Sequence, residues 1–197
     1  MDKLLNIQTD GRDEIGADQY HHPYEPTSYD VLERLAGSGL ISKQDVLLDY
    51  GCGKGRVDFF LSYRTGAKTI GIEYDPRIYS SALKNQKQAI SKANAEFVLE
   101  KAEAYEVPPD VSRCYFFNPF SVEILRKVMS RIIESYYGSP RHIFLFFYYP
   151  SDEYLSYLMT VEELEFYDEI ECEDLFEGND IRERIMIFEL PCYELPE

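Results

Sequence analysis

From about residue 27 onward, short apolar runs alternate with longer stretches of helical spacing. Asp45-Val46-Leu47-Leu48-Asp49 is apolar without alternation, the signature of a strand covered on both faces. Lys68 to Glu73, Glu96 to Leu99, Cys114 to Phe117 and His142 to Tyr149 are four more runs of strand length. Between them lie predicted helices from about Arg56 to Arg64, from Pro76 to about Lys92, and from Ser121 to Tyr136. Pro76 suits a helix's first turn, and the third helix carries Val122, Leu125, Val128, Met129 and Ile132 on one face. An earlier helix with Val31, Leu32 and Leu35 is capped by Thr27 or Ser28 and ended by Gly37 and Gly39. A short helix near Asp152 to Leu158 follows the fifth strand. Two last strands, about Leu164 to Cys172 and Arg184 to Leu190, flank a turn at Glu177-Gly178-Asn179-Asp180.

Strands alternating with helices predict a doubly wound α/β domain, its sheet mostly parallel with right-handed crossovers. The final two strands leave no room for a long crossover helix and predict an antiparallel hairpin at one edge. Residues 1–22 are polar and weakly patterned and read as a flexible arm. Residues 23–197 read as one domain, without repeats or a linker.

Composition narrows the classes. Hydrophobic residues make up 45% of the chain, enough for a sizeable core, and 17 Tyr with 12 Phe supply its bulk in the absence of Trp. The net charge of −16 repels phosphate backbones, which favours an amine metabolite or a protein side chain over nucleic acid as partner. Arg126, Lys127 and Arg131 form a basic cluster on one predicted helix, read as a solvated face. Cys52, Cys114, Cys172 and Cys192 have no metal or disulfide spacing and read as reduced thiols. His21, His22 and His142 read as solvated or structural, so no metal site is expected. The N-terminus has no apolar stretch of leader length, and no run approaches the ~18 apolar residues of a membrane span. A cytoplasmic protein without membrane attachment is the expectation.

The segment carrying chemistry is Leu48-Asp49-Tyr50-Gly51-Cys52-Gly53-Lys54-Gly55-Arg56, a buried strand that enters a helix through a glycine turn. Such a turn lets backbone N–H groups approach a ligand, and a nucleotide-like ligand in an open α/β sheet lies at the carboxyl ends of the strands. A dinucleotide is disfavoured, because the last glycine of GxGxxG is replaced by Arg56 and Asp49 would face the pyrophosphate. Asp49 suits a cationic amino group instead. Glu73, 73 − 53 = 20 residues beyond Gly53, ends the second strand and suits the two hydroxyls of a ribose.

From Asp49 to Glu73 the chain resembles the cofactor site of class I S-adenosylmethionine-dependent methyltransferases, and the element order fits their Rossmann-like seven-stranded sheet. The resemblance implies that Asp49, Gly51, Cys52, Gly53 and Gly55 wrap the methionine end, that Glu73 and Tyr74 meet the ribose, and that the loop after strand three edges the adenine. In that loop Lys101 stands where the family has an acid, leaving Glu103 or the backbone at Ala102 as the contact. Asn118-Pro119-Phe120 after strand four resembles the Asn-Pro-Pro-Tyr/Phe turn of methyltransferases acting on planar amino nitrogens, minus one proline. There Asn118 would orient the target nitrogen and the Phe120 ring pack the substrate. Tyr24 and Thr27 resemble an upstream segment that covers the cofactor. The implied activity is methyl transfer from S-adenosyl-L-methionine to a nitrogen of an unidentified acceptor. An O- or C-directed methyltransferase and a non-catalytic binding module are the alternatives, with a nicotinamide oxidoreductase least favoured.

Overall fold

The computed structural model of the protein describes residues 1–11, 25–90, 93–178 and 180–192. In chain order the elements are α1 (Asp2–Leu5), α2 (Tyr29–Gly37), β1 (Val46–Tyr50), α3 (Arg56–Thr65), β2 (Lys68–Glu73), α4 (Pro76–Gln88) and β3 (Ala95–Leu99). They continue with β4 (Val111–Phe116), α5 (Val122–Gly138), β5 (Ile143–Tyr148), α6 (Asp152–Leu158), β6 (Glu165–Glu171) and β7 (Arg184–Leu190). The strands form one sheet in the order β3-β2-β1-β4-β5-β7-β6. Strands β1 to β5 run parallel, and β7 lies antiparallel between β5 and β6.

Alternation along each strand sends neighbouring side chains to opposite faces, and both faces are covered. Leu47, Tyr115, Phe144, Phe146 and Ile187 join the core beneath α2 and α3, whereas Leu48, Cys114, Leu145 and Phe147 join the core beneath α5 and α6. Helix α5 buries Ile124, Leu125, Val128, Met129 and Ile132, the stripe its spacing predicts. Across the second face Tyr50, Phe116 and Phe147 stack in a ladder over β1, β4 and β5, with ring centroids 4.8 and 4.6 Å apart. This ladder ties the central strands together just below their carboxyl ends. Chain order reverses direction between β1 and β4, so the crevice above those two strand tips is where this topology receives a ligand. Among the described residues, no helix is long and apolar enough to cross a membrane.

Two expectations are corrected. Strand β4 starts at Val111 rather than Cys114, because its polar first residues are satisfied across the sheet: Ser112 Oγ donates to Asp45 Oδ1 (2.8 Å) and Arg113 Nε to the Leu40 carbonyl (2.6 Å). The N-terminus is packed, not free, as far as residue 10: Leu5, Ile7 and Thr9 are buried. The Asn85 side chain accepts from the Gln8 N–H (2.9 Å) and donates to its carbonyl (3.1 Å), giving this polar segment a sheet-like partner. Tyr24, His21, His22 and Asn179 lie outside the described residues.

Candidate active site

Strand β1 delivers the chain into a turn in which Gly51, Gly53 and Gly55 all have left-handed backbone, with φ of 76, 58 and 86°. Its amides are already engaged within the protein. The N–H groups of Gly51 and Cys52 both donate to the Ile72 carbonyl (3.0 Å each), that of Gly53 to Glu73 Oε2 (3.1 Å), and that of Gly55 to the Cys52 carbonyl (2.9 Å). The sequence reading has these amides free to approach a ligand, and here they hold the turn against β2 instead. A turn built this way offers no cradle of N–H groups to a pyrophosphate, which strengthens the case against a dinucleotide. Cys52 turns its side chain into the core: a β-carbon on Gly71 would stand 2.7 Å from both Cβ and Sγ of Cys52. Only the backbone of Cys52 is left to a ligand.

Four acids gather at this end of the sheet. Asp49, 2% exposed, lies in register between Gly71 of β2 and Tyr115 of β4. Among the described residues, no N–H or hydroxyl of another residue reaches its Oδ2, nor either oxygen of Asp58, which is 0% exposed on α3. The two carboxyls lie within reach of each other, so a proton on either one would let it donate to the other. Burial pushes both pKa values up, and Asp58 is raised further by the Asp49 charge and by hydrogen-bonding to it. Asp58 escapes the sequence reading, although the signal is present: one acid inside Val57-Asp58-Phe59-Phe60-Leu61, an otherwise apolar run on a helix. Glu73 is nearly buried, with Oε1 accepting the Asp75 N–H (2.8 Å) and Oε2 the Gly53 N–H. Burial still raises its pKa against those bonds. Beyond β3, Glu103 is half-buried, and its Oε2 is enclosed without a hydrogen-bond partner. Lys101 is exposed, while Tyr74 and Ala102 are half-buried beside the acids. Asp49 and Glu73 therefore stand at the tips of the adjacent strands β1 and β2, with Glu103 in the loop that follows β3.

The turn after β4 closes the other side. Pro119 sits against Gly51, and Asn118 has a left-handed backbone, φ 42°. Phe120 does not face the crevice as a substrate-packing ring would. It is 3% exposed, packs edge-on to Phe116 and accepts a hydrogen bond at its carbonyl from the Tyr154 hydroxyl (2.5 Å). The half-buried ring here is Phe117, tilted against Tyr148 at 4.6 Å. Tyr149, with φ 50°, follows β5 under the guanidinium of Arg182, 4.6 Å from the ring centre, and its hydroxyl donates to Asp180 (2.6 Å). His142 pairs with Glu189 (2.5 Å) at the opposite end of β5, a structural contact between strands.

Thr27 is buried, and its hydroxyl shares a hydrogen bond with the Tyr115 hydroxyl (3.0 Å), across from Asp49. Its carbonyl accepts from Arg56 (3.2 Å). The same guanidinium donates through Nε to Thr9 Oγ1 (2.7 Å), pairs with Asp10 and lies over the Tyr29 ring. Arg56, which replaces the glycine of a dinucleotide fingerprint, thus ties the N-terminal segment and the Thr27 segment to the glycine turn.

No protein-family profile and no curated protein matches the chain. Solved structures do. One is an RNA methyltransferase from Salinibacter ruber in complex with S-adenosyl-L-homocysteine (20% identity, TM-score 0.57, 88% of this chain and 97% of that one). Another is a dimethyladenosine transferase from Plasmodium falciparum (17%, TM-score 0.55, 85% of this chain and 62% of that one). A third is the tRNA (uracil-54, C5)-methyltransferase of Pyrococcus abyssi, also in complex with S-adenosyl-L-homocysteine (13%, TM-score 0.59, 85% of this chain and 40% of that one). These three proteins, an RNA methyltransferase, a dimethyladenosine transferase and a tRNA methyltransferase, overturn the preference for an amine metabolite or protein side chain over nucleic acid. The net charge of −16 sums the whole chain, whereas acceptor choice rests on the few residues around one crevice. What these likenesses establish is the fold: this chain is built on the Rossmann-like, seven-stranded sheet of the S-adenosylmethionine-dependent methyltransferases.

Proposed function

We propose that the protein transfers a methyl group from S-adenosyl-L-methionine to a nitrogen of a nucleic-acid base. Support for the cofactor comes from the acids at the strand tips: among the described residues, no protein N–H reaches Oδ2 of Asp49 or Oε2 of Glu103. Leaving such an atom unpaired costs about 1–3 kcal/mol, so N–H groups on a ligand suit both. Asp49 would take the cationic amino group, and Glu73 the ribose hydroxyls on the lone pairs that its backbone bonds leave open. Glu103 would take the amino group of adenine, with the Ala102 backbone and Tyr74 beside it. Thr27, Gly51, Cys52, Gly53 and Gly55 would border the methionine end, and Tyr24 is proposed to cover it. When bound, the cofactor supplies a methyl group already activated on a sulfonium. The chain's own residues then need to orient the acceptor and exclude water rather than carry an acid–base relay.

The observation that carries this reading is Pro119 seated on Gly51, which couples the Asn118 turn to the cofactor turn. The Asn118 amide oxygen would accept from the target nitrogen, with Phe117 rather than Phe120 as the neighbouring ring. Arg126 and Lys127 are exposed at the start of α5, just beyond Phe120, and suit phosphate contacts that position a strand. The test is transfer of labelled methyl from the cofactor to total RNA and to DNA, followed by digestion to nucleosides. An N-methylated nucleoside is the expected product. Label on a carbon or a sugar oxygen removes the nitrogen assignment. Binding of S-adenosylhomocysteine with no transfer to RNA or DNA leaves a binding module, and no binding at all removes the cofactor.

A further inference from the structure

The carboxyl of Asp58 lies beneath the proposed cofactor turn, facing Asp49, and no residue in the preceding function uses it. It is 0% exposed on α3, and among the described residues no N–H or hydroxyl of another residue, and no cation, meets either of its oxygens. An ionised carboxylate in that position would lack the compensation that buried charges require. Two ionised carboxylates facing each other in so buried a place would repel with no cation to compensate, so the pair favours holding one proton. Its holder follows from the surroundings. Asp58 has both oxygens enclosed without donors, whereas Asp49 stands at the strand tip, with only Oδ2 so enclosed. The other ionisable groups facing the pair are Glu73 on β2, the Cys52 thiol in the turn and Tyr115 on β4, whose hydroxyl is shared with Thr27. None of them is a cation, so nothing else in this set favours the charge on Asp49.

We infer that Asp58 is a positioning residue that acts as a neutral carboxylic acid: its O–H donates to Asp49 and keeps that carboxylate ionised and oriented for the cationic amino group of the cofactor. This rests on the cofactor reading above and deepens it. A carboxylic acid kept neutral by an apolar site so that it can donate is sound chemistry. The assignment explains why an acid is buried on a helix beside Val57, Phe59, Phe60 and Leu61. It also defines a proton dependence. With the donor present, the Asp49 pKa, pushed up to about 7 by burial, stays low enough for the anion to be populated from about neutral pH upward. Without it, burial and the facing Glu73 push Asp49 toward its neutral form, which attracts a cation poorly.

The test compares the full-length protein with Asp58→Asn and Asp58→Ala, titrating S-adenosylhomocysteine by calorimetry at about pH 6, 7.5 and 9. The Asn amide can donate but cannot ionise, so Asp58→Asn is expected to bind within about threefold of the unmodified protein. Asp58→Ala removes the donor and is expected to bind about tenfold or more weakly near neutrality, then to recover at about pH 9 as Asp49 ionises unaided. An Asp58→Asn as weak as Asp58→Ala, or an Asp58→Ala loss equal at every pH, overturns the assignment. A second measurement needs no ligand. The infrared carbonyl band of a protonated carboxyl is expected at about pH 8 in the unmodified protein and absent from Asp58→Asn. A missing band in the unmodified protein overturns the neutral Asp58 whatever binds. A band present in a protein that binds no S-adenosylhomocysteine at any pH overturns the cofactor reading, and this role with it.

Discussion

Pro119 occupies the space that a side chain on Gly51 would need: a β-carbon built on Gly51 falls 2.6 Å from Cβ of Pro119. The two turns leave adjacent parallel strands, β1 and β4, whose last residues Tyr50 and Phe116 are register partners. The turn that carries the acids and the turn that carries Asn118 therefore move together. Gly51→Ala adds both that clash and a left-handed φ of 76° that alanine resists. It is expected to lower stability by about 1–3 kcal/mol in urea unfolding and to weaken S-adenosylhomocysteine binding, as read by calorimetry.

Asn118 should separate binding from turnover. Asn118→Ala is expected to leave affinity for S-adenosylhomocysteine within about threefold while cutting the methyl-transfer rate about a hundredfold, the scale for losing one oriented acceptor. Equal loss of affinity and rate would make Asn118 merely part of the turn.

Glu103 and Lys101 compete for the adenine position, and burial decides between them. Glu103→Ala is expected to weaken binding of the cofactor product about tenfold, consistent with losing a bond to a charged acceptor, while Lys101→Ala, an exposed site, changes it little. The readout is the ratio of the two dissociation constants.

Asp49, Asp58 and Glu73 give the ligand-free protein a definite pH dependence. Burial raises all three above their unfolded values of about 4. The folded state thus binds more protons than the unfolded one between those values and its own higher ones. Their contribution to stability is full below about pH 4 and is lost as pH rises through the folded values. Urea midpoints are expected to fall between about pH 5 and pH 8 on this account. Asp58→Asn, which cannot ionise, should flatten that slope. A steeper slope in Asp58→Asn would contradict the raised value.

Arg56 holds the N-terminal segment through Thr9 and Asp10 and the Thr27 segment through its carbonyl. Lysine keeps the charge but not the fork of donors. Arg56→Lys is expected to cost about 2 kcal/mol and to speed amide hydrogen exchange at Leu5, Ile7 and Thr9. Unchanged exchange there would mean that the bonds from Asn85, Ile90 and Tyr29 secure the segment without Arg56.

Local pattern by itself determined the order of strands and helices, the strand-turn-helix around Gly51, the antiparallel pair at the edge, and Asp49 and Glu73 at neighbouring strand tips. Those features follow from hydrophobic periodicity and from backbone geometry that few residues besides glycine adopt, and both are written within short windows of sequence. It failed wherever a polar group has a distant partner. Val111-Ser112-Arg113 reads as loop until Asp45 and Leu40 satisfy it, and residues 2–10 read as an arm until Asn85 and Arg56 arrive from more than 40 positions away. Only the tertiary structure decided that the glycine-turn amides bond to β2, that Phe120 serves the core, and that Asp58 faces Asp49. Each depends on which groups the folded chain brings within hydrogen-bond reach or shuts away from water, and no periodicity along the chain encodes that.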